Sequence, residues 1–292
     1  MRISLNNYKV FANAKINLGL NVYEKDLDNY HKLDTIMLPI NLKDELEIFI
    51  FNEAGSLNIE CSDKNIPTNK KNILYKTYEL FFEKLGTIPL KINIILQKNI
   101  PSEAGLGGGS SNAAVFLNIL NDYYENYFDI EALKKIAFEI GSDVPFFIEN
   151  KAARISGKGE LVKKIESKFE STLLLIKPDF GISTKIAYDN FDKLKYIKYS
   201  NLDAIERGLF ENNLLLIKEN IENGLEQAIE NDQKIKLLKN SLRTILPNKK
   251  FFMTGSGSVF FTFITKNEKE VVETKLKIFL DNVKIFICNI QN

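Results

Sequence analysis

Residues 101–112 read Pro101-Ser102-Glu103-Ala104-Gly105-Leu106-Gly107-Gly108-Gly109-Ser110-Ser111-Asn112, with four glycines in five positions. No other segment constrains the fold as much. Glycine adopts positive φ at little steric cost and lets another group approach the backbone closely. A helical run follows, in which Ala113, Leu117, Leu120 and Tyr124 share one face. A glycine turn feeding a helix offers free N–H groups and the positive end of the helix dipole, a cradle for an anion. Ser110 and Ser111 add hydroxyl donors. An ordinary surface turn is the alternative, but four glycines directly before a strong helix argue for a nucleotide-using enzyme. The run lacks the Gly-x-x-x-x-Gly-Lys-Ser/Thr pattern, and Ser110 stands where a dinucleotide fingerprint has its third glycine.

The 292 residues suit two domains of ordinary size. A hydrophobic share of 45% with 26% charged residues argues against global disorder. The net charge of +1, with Lys and Arg dispersed, argues against a nucleic-acid binder. Cys61 and Cys288 are isolated, as in a reducing compartment. No apolar stretch reaches the length of a membrane span, and Met1–Lys9 lacks a signal-peptide core. The expectation is a cytoplasmic protein of the bacterial cytosol, with small-molecule partners and neither nucleic acid nor membrane.

Hydrophobic patterning predicts strands within 8–23, 45–51 and 91–96, the last leading into the glycine loop. Leu133, Ile136, Ala137 and Ile140 predict a helix over 131–140, with Gly141 at its C-cap. Pro145-Phe-Phe-Ile148 reads as a strand start. A polar stretch at 160–171 marks a boundary, placed at 165/166. Beyond it the pattern predicts a strand at 173–176, helices across 184–246, and strands at 250–254 and 258–264. A helix carrying Val272, Leu276, Phe279 and Leu280 and a strand at 284–288 complete it. That order suits a ferredoxin-like split βαβ plan with inserted helices.

Three further segments carry polar chemistry. Ala14-Lys15-Ile16-Asn17-Leu18 puts Lys15 and Asn17 on one strand face, suited to an anionic or hydroxyl-rich substrate. A solvated strand lysine is the plain alternative. In Gly141-Ser142-Asp143-Val144-Pro145 the acid stands in a turn, where it could equally serve its own backbone. Thr254-Gly255-Ser256-Gly257-Ser258 is a second glycine loop, or simply a hairpin turn.

In this order, from about residue 12 to residue 262, the four segments resemble the GHMP kinase superfamily of small-molecule kinases. Three details are similar to its branch acting on a cytidine diphosphate substrate: Gly-Leu-Gly-Gly-Gly-Ser-Ser-Asn-Ala-Ala, the pair Tyr30-His31, and Gly157-Lys-Gly-Glu160. Asn13 stands where these kinases usually have proline. Asn29 stands for a glycine before Tyr30, and Ser258 for a proline or alanine. None of these changes removes a reacting group.

The resemblance implies an α+β, two-domain fold. Residues 1–165 would form a ribosomal-protein-S5-domain-2-like α/β domain that binds ATP. Residues 166–292 would form a ferredoxin-like split βαβ domain with inserted helices on the substrate side. It implies ATP and Mg2+ as cofactors, with no metal-ligating residue assigned. Asp143 would be the general base and Lys15 its cationic partner. Pro101, Gly105, Gly107, Gly108, Gly109, Ser110, Ser111 and Asn112 would hold the ATP phosphates, and Asn72 and Lys98 would line the adenine pocket. Asn17, Tyr30, His31, Thr184, Tyr188, Gly255, Ser256 and Gly257 would bind substrate. A lone histidine is commonly structural, but in this branch the Tyr-His pair recognises cytosine, and Tyr30 with Tyr188 would sandwich the base. The implied reaction phosphorylates the tertiary 2-hydroxyl of the methylerythritol part of that substrate, in non-mevalonate isoprenoid precursor synthesis. A homoserine or mevalonate kinase is the alternative, disfavoured by Tyr30-His31 and the triple glycine. A non-catalytic ligand sensor is a further alternative, disfavoured because Lys15 and Asp143 are both present.

Overall fold

The computed structural model describes residues 5–26, 28 and 30–291. Asn29 of the Tyr30-His31 turn and residues 1–4 of the N-terminal stretch lie outside the described residues. In chain order the elements are β1 (Leu5–Lys25), β2 (His31–Ala54), β3 (Leu57–Cys61), α1 (Ile73–Leu85), β4 (Leu90–Gln97), α2 (Gly108–Tyr123), α3 (Ile130–Ile140) and α4 (Val144–Glu149). Then come β5 (Ala153–Gly157), β6 (Leu161–Lys164), β7 (Thr172–Pro178), α5 (Thr184–Phe191), α6 (Leu202–Phe210), α7 (Leu214–Asn220), α8 (Gly224–Ala228) and α9 (Gln233–Ile245). The last elements are β8 (Phe252–Met253), β9 (Phe260–Ile264), α10 (Lys269–Phe279) and β10 (Val283–Asn289). The chain forms two compact units: Met1–Ala14, Leu42–Pro101 and Gly107–Asn150, and then Lys15–Asn41, Ser102–Leu106 and Lys151–Asn292. Strands β1 and β2 each pass through both units.

In the first unit β4 lies between β3, to which it is parallel, and β2, to which it is antiparallel. The register pairs Leu46 with Leu96, Ile48 with Ile94 and Ile50 with Ile92. All six are buried while the residues between them on β2 are partly exposed, the period of two that gives a strand one apolar face. Helices α1 to α4 pack on one another. Helix α3 buries Leu133, Ile136, Ala137 and Ile140, the face its spacing predicts.

Residues 145–148 are helical, not a strand. Helix α4 has its N-cap at Asp143 and Pro145 in its first turn, where a fixed φ suits the helix and the missing N–H costs nothing. Val144 to Ile148 are all buried. A short helix apolar on every side carries no helical periodicity, so its sequence reads like a buried strand.

In the second unit β2 pairs with β5 and β5 with β6, both antiparallel. A separate antiparallel sheet has the order β10-β7-β9-β8. Strand β7 is buried along its whole length, as a central strand covered on both faces must be. Leu174, Ile176 and Phe260 join Ala187 and Phe191 of α5, Ile235 and Leu242 of α9, and Leu276 of α10 in one core. Complete burial of each large apolar side chain contributes about 1.5–3 kcal/mol. Helix α10 buries Val272 and Leu276, but Phe279 on its last turn is exposed. No described helix is long and apolar enough to cross a membrane.

Candidate active site

In the first unit the glycine run opens α2. Gly107 is its N-cap in the left-handed region, at φ 70°, and the Ser111 N–H donates to its carbonyl at 2.9 Å. A Cβ on Gly108 would lie 2.8 Å from Lys98 Nζ and 3.0 Å from Ile100 Cγ2. Lys98 is fixed there: Nζ donates to Asp44 Oδ2 at 2.6 Å and to the Ile100 carbonyl at 2.8 Å. Asp44 is wholly buried, and its other oxygen accepts from the N–H groups of Asn99 and Ile100 at 2.7 and 2.8 Å. This carboxylate shapes the turn that enters Pro101, and no local pattern marks it. Ser111 and Asn112 are buried, while Gly109 is exposed. Asn112 Oδ1 is enclosed without a hydrogen-bond partner.

Asn72 is the N-cap of α1, accepting from the Leu74 N–H at 3.0 Å and donating to the Pro67 carbonyl at 2.7 Å. Its amide oxygen thus caps the helix while its NH2 group holds the preceding turn. Asp143 caps α4 by position only, since its side chain makes no capping bond.

The second unit brings together three of the sequence motifs. Lys15 and Asn17 are 3% and 2% exposed, so Lys15 is not the solvated strand lysine of the plain alternative. Lys15 Nζ donates to Asn17 Oδ1 at 2.7 Å, and its backbone N–H to the Leu106 carbonyl at 3.0 Å. The Asn17 N–H donates to Thr254 Oγ1 at 3.0 Å. The Thr254 hydroxyl proton is shared between Asn17 Oδ1 and the Gly105 carbonyl, each 3.3 Å away. Gly105 and Gly255 have φ of 70° and 56°. A side chain on Gly105 would strike the Thr254 carbonyl, and a Cβ on Gly255 would lie 3.5 Å from Lys15 Nζ. The two glycines let their backbones pack against each other, with Gly255 beside the Lys15 ammonium.

Residues outside the motifs hold this arrangement. Asn223 is buried at the start of α8 and donates to the carbonyls of Met253 and Gly255 at 2.9 and 3.0 Å. Thr184 Oγ1 is 2.8 Å from Ser256 Oγ. Gly257 has φ 86°, and a Cβ there would press on Ile182 and Met253. The Phe180 carbonyl, before Thr184, accepts from Lys177 Nζ at 2.9 Å and Ser258 Oγ at 2.7 Å. Burial pushes the Lys177 ammonium below the usual lysine range.

His31 lies in the same unit with its side chain 6% exposed. Nδ1 is 2.7 Å from the Tyr23 carbonyl, which only accepts, so Nδ1 carries a proton. Nε2 lies 3.1 Å from Asp192 Oδ1 without the alignment of a hydrogen bond. Lys25 Nζ lies 2.5 Å from the other Asp192 oxygen. The Tyr188 ring is 5.0 Å from the imidazole and tilted by 31°. Tyr30 is 66% exposed, and Lys158, paired with Asp28, stands over its ring.

Residues 72–151 match the GHMP kinases N terminal domain. The whole chain is 55% identical over 294 residues to 4-diphosphocytidyl-2-C-methyl-D-erythritol kinase of Fusobacterium nucleatum, covering all of both chains. The chain belongs to the GHMP kinases, in the 4-diphosphocytidyl-2-C-methyl-D-erythritol kinase family. A crystal structure of 4-(cytidine 5'-diphospho)-2C-methyl-D-erythritol kinase superposes with a TM-score of 0.78 at 27% identity, covering 98% of this chain and 100% of the other. The homoserine kinase of Cytophaga hutchinsonii shares the fold, with a TM-score of 0.71 at 19% identity over 98% and 94% of the two chains. The two-domain α/β architecture is that of GHMP kinases. Within the family framework, Lys15, Asn17, Gly105, Thr254 and Gly255 form one cluster in the second unit, and Asp44, Lys98, Ile100 and Gly108 another in the first.

Proposed function

We propose that this chain transfers the γ-phosphoryl group of ATP to the tertiary 2-hydroxyl of 4-diphosphocytidyl-2-C-methyl-D-erythritol, a step of non-mevalonate isoprenoid precursor synthesis. The observation that carries it is the end-to-end likeness, 55% identical, to the Fusobacterium nucleatum kinase. The polar geometry supports the same reading.

The first unit suits a nucleotide phosphate chain. Gly107 to Asn112 open a helix of 16 residues, whose first N–H groups and positive dipole end suit an anion. Ser110 and Ser111 complete the proposed cradle, with Pro101 turning the chain into it. Lys98 and Asn72 are assigned to the adenine side. ATP supplies the phosphoryl group, with Mg2+ as its counterion. Among the described residues no group of three or more His, Cys, Asp or Glu side chains is gathered.

Asp143 is assigned as the base that takes the proton from the substrate hydroxyl, and Lys15 as the cation that stabilises charge on the transferring group. Positioning and electrostatics supply most of the catalysis of phosphoryl transfer, so two such groups suffice. Asn17, Thr184 and the Gly255-Ser256-Gly257 loop are assigned to the substrate's polar parts, and Tyr30, His31 and Tyr188 to its cytosine. The sheet order β10-β7-β9-β8 supports a ferredoxin-like reading of residues 166–292. Residues 1–165 are assigned as the ribosomal-protein-S5-domain-2-like ATP domain. A bacterial cytosol and small-molecule partners fit this chemistry.

The test is ADP release with Mg-ATP and a panel of alcohols. Turnover of the cytidine substrate, and none of homoserine or mevalonate, is expected. The reverse pattern would sink the assignment. Asp143→Asn and Lys15→Met should each lower kcat by roughly 10²–10⁴-fold with the KM for ATP little changed.

A further inference from the structure

We infer that Thr35 is a positioning residue for the phosphoryl transfer: it fixes the orientation of the Asn17 amide and, through it, the Lys15 ammonium. This rests on the assignment of Lys15 above.

The chain of donors has only one consistent direction. Thr35 Oγ1 lies 2.5 Å from the Gly19 carbonyl oxygen. A carbonyl only accepts, so the single hydroxyl proton of Thr35 points there. What Oγ1 offers elsewhere is a lone pair. The Asn17 amide meets that lone pair at 3.0 Å, so the atom facing Thr35 is the NH2 group. The amide oxygen is thereby turned to the opposite side, where Lys15 Nζ donates to it at 2.7 Å and the Thr254 hydroxyl lies 3.3 Å away. A reversed amide would set an NH2 group against an ammonium, donor against donor. The backbone carbonyl of Gly19 thus decides, two bonds removed, which end of Asn17 the lysine meets.

The fold leaves little slack in this relay. Thr35 is 0% exposed, Asn17 2% and Lys15 3%. Inside a protein an unsatisfied donor carries its full desolvation cost, so an amide without Thr35 would seek another partner. Gly19 has φ 82°, and a Cβ there would collide with Ser200, so only glycine lets the chain turn its carbonyl in this way. The proposed catalytic lysine is a long, flexible side chain, and each hydrogen bond that holds its tip removes conformations that lack reactive geometry.

The experiment compares Thr35→Val, Thr35→Ser and Asn17→Ala with Lys15→Met, reading kcat, the KM for Mg-ATP and the melting temperature of each. Thr35→Val keeps the shape and removes the hydroxyl. It should lower kcat by about tenfold to a hundredfold and leave the KM for ATP within about twofold. Thr35→Ser, which keeps the hydroxyl, should recover most of kcat. Because both residues act through one bond, Thr35→Val should add almost nothing to the loss already caused by Asn17→Ala. A folded Thr35→Val enzyme with unaltered kcat overturns the inference, as does a serine variant as slow as the valine one, or additive losses in the double variant. If neither Thr35→Val nor the smaller Thr35→Ala folds, Thr35 serves stability and the inference also falls. Lys15→Met separates the two levels: normal turnover there removes the assignment of Lys15 itself, whereas a slow Lys15→Met beside a normal Thr35→Val removes only the relay.

Discussion

Asn150 donates its side-chain N–H to Asn13 Oδ1 at 3.1 Å. Asn150 is the C-cap of α4, left-handed at φ 50°, and Asn13 stands two residues before Lys15 on β1. Related kinases usually have proline at this position. A proline restrains the backbone by locking φ. Here a side-chain bond to the end of α4 supplies a restraint of another kind. Asn13→Ala should lower the unfolding free energy by about 0.5–1.5 kcal/mol, measured by urea denaturation. Asn150→Gly, which keeps the left-handed cap, should lose the same bond but no cap strain. An Asn13→Ala protein as stable as its parent would show that the bond contributes nothing.

Gly108→Ala tests the proposed phosphate cradle. The new methyl would meet Lys98 Nζ at 2.8 Å, and Lys98 cannot retreat without loosening its buried pair with Asp44. Overpacking of this kind costs about 1–3 kcal/mol. The KM for ATP should rise by roughly tenfold while the KM for the alcohol substrate moves little. Gly86→Ala is the control, since a Cβ at Gly86 meets no heavy atom within 4 Å and any loss there reflects its left-handed φ of 71° alone.

The proposed cytosine contacts make a specificity prediction. Asp192 stands beside His31 Nε2 and is itself held by Lys25. His31→Ala should raise the KM for the cytidine substrate and narrow the gap between cytidine and uridine analogues, each unpaired polar group costing about 1–3 kcal/mol. Tyr30→Ala should raise the same KM by the roughly 1–3 kcal/mol of lost stacking. ATP affinity should hold in both. Unchanged discrimination in His31→Ala would return the residue to a structural role.

A pH prediction follows from Glu268. Its carboxyl is held below the usual 4.5 by Lys249, whose Nζ lies 2.7 Å away, and by the Thr265 N–H. A carboxyl whose pKa is depressed on folding adds stability that is present above the unfolded value of 4.5 and lost as pH falls below it. The urea midpoint of the parent should therefore fall more steeply between pH 6 and about pH 3 than that of Glu268→Gln. Parallel curves would remove Glu268 from the acid response.

Much of the local architecture is legible in the sequence. The buried face of α3, the start of α2 at the glycines and the strand–helix order of residues 172–289 all follow from short-range patterns. Those patterns are periodicities of 2 and 3.6 residues and the conformational freedom of glycine, which a chain carries in its own order. Helix α4 escaped because a segment buried on every side has no period to read.

The sequence by itself therefore determined which residues would be polar, apolar or conformationally permissive, and with them the family. Only the tertiary structure decided the company they keep. Asn17 meets Thr35 across 18 residues and Thr254 across 237, and Asp44 reaches Lys98 across 54. Threonines and an aspartate of this kind look like any strand residue in sequence. They become decisive because burial removes water as an alternative partner, and each donor must then find its acceptor wherever the strands have brought one.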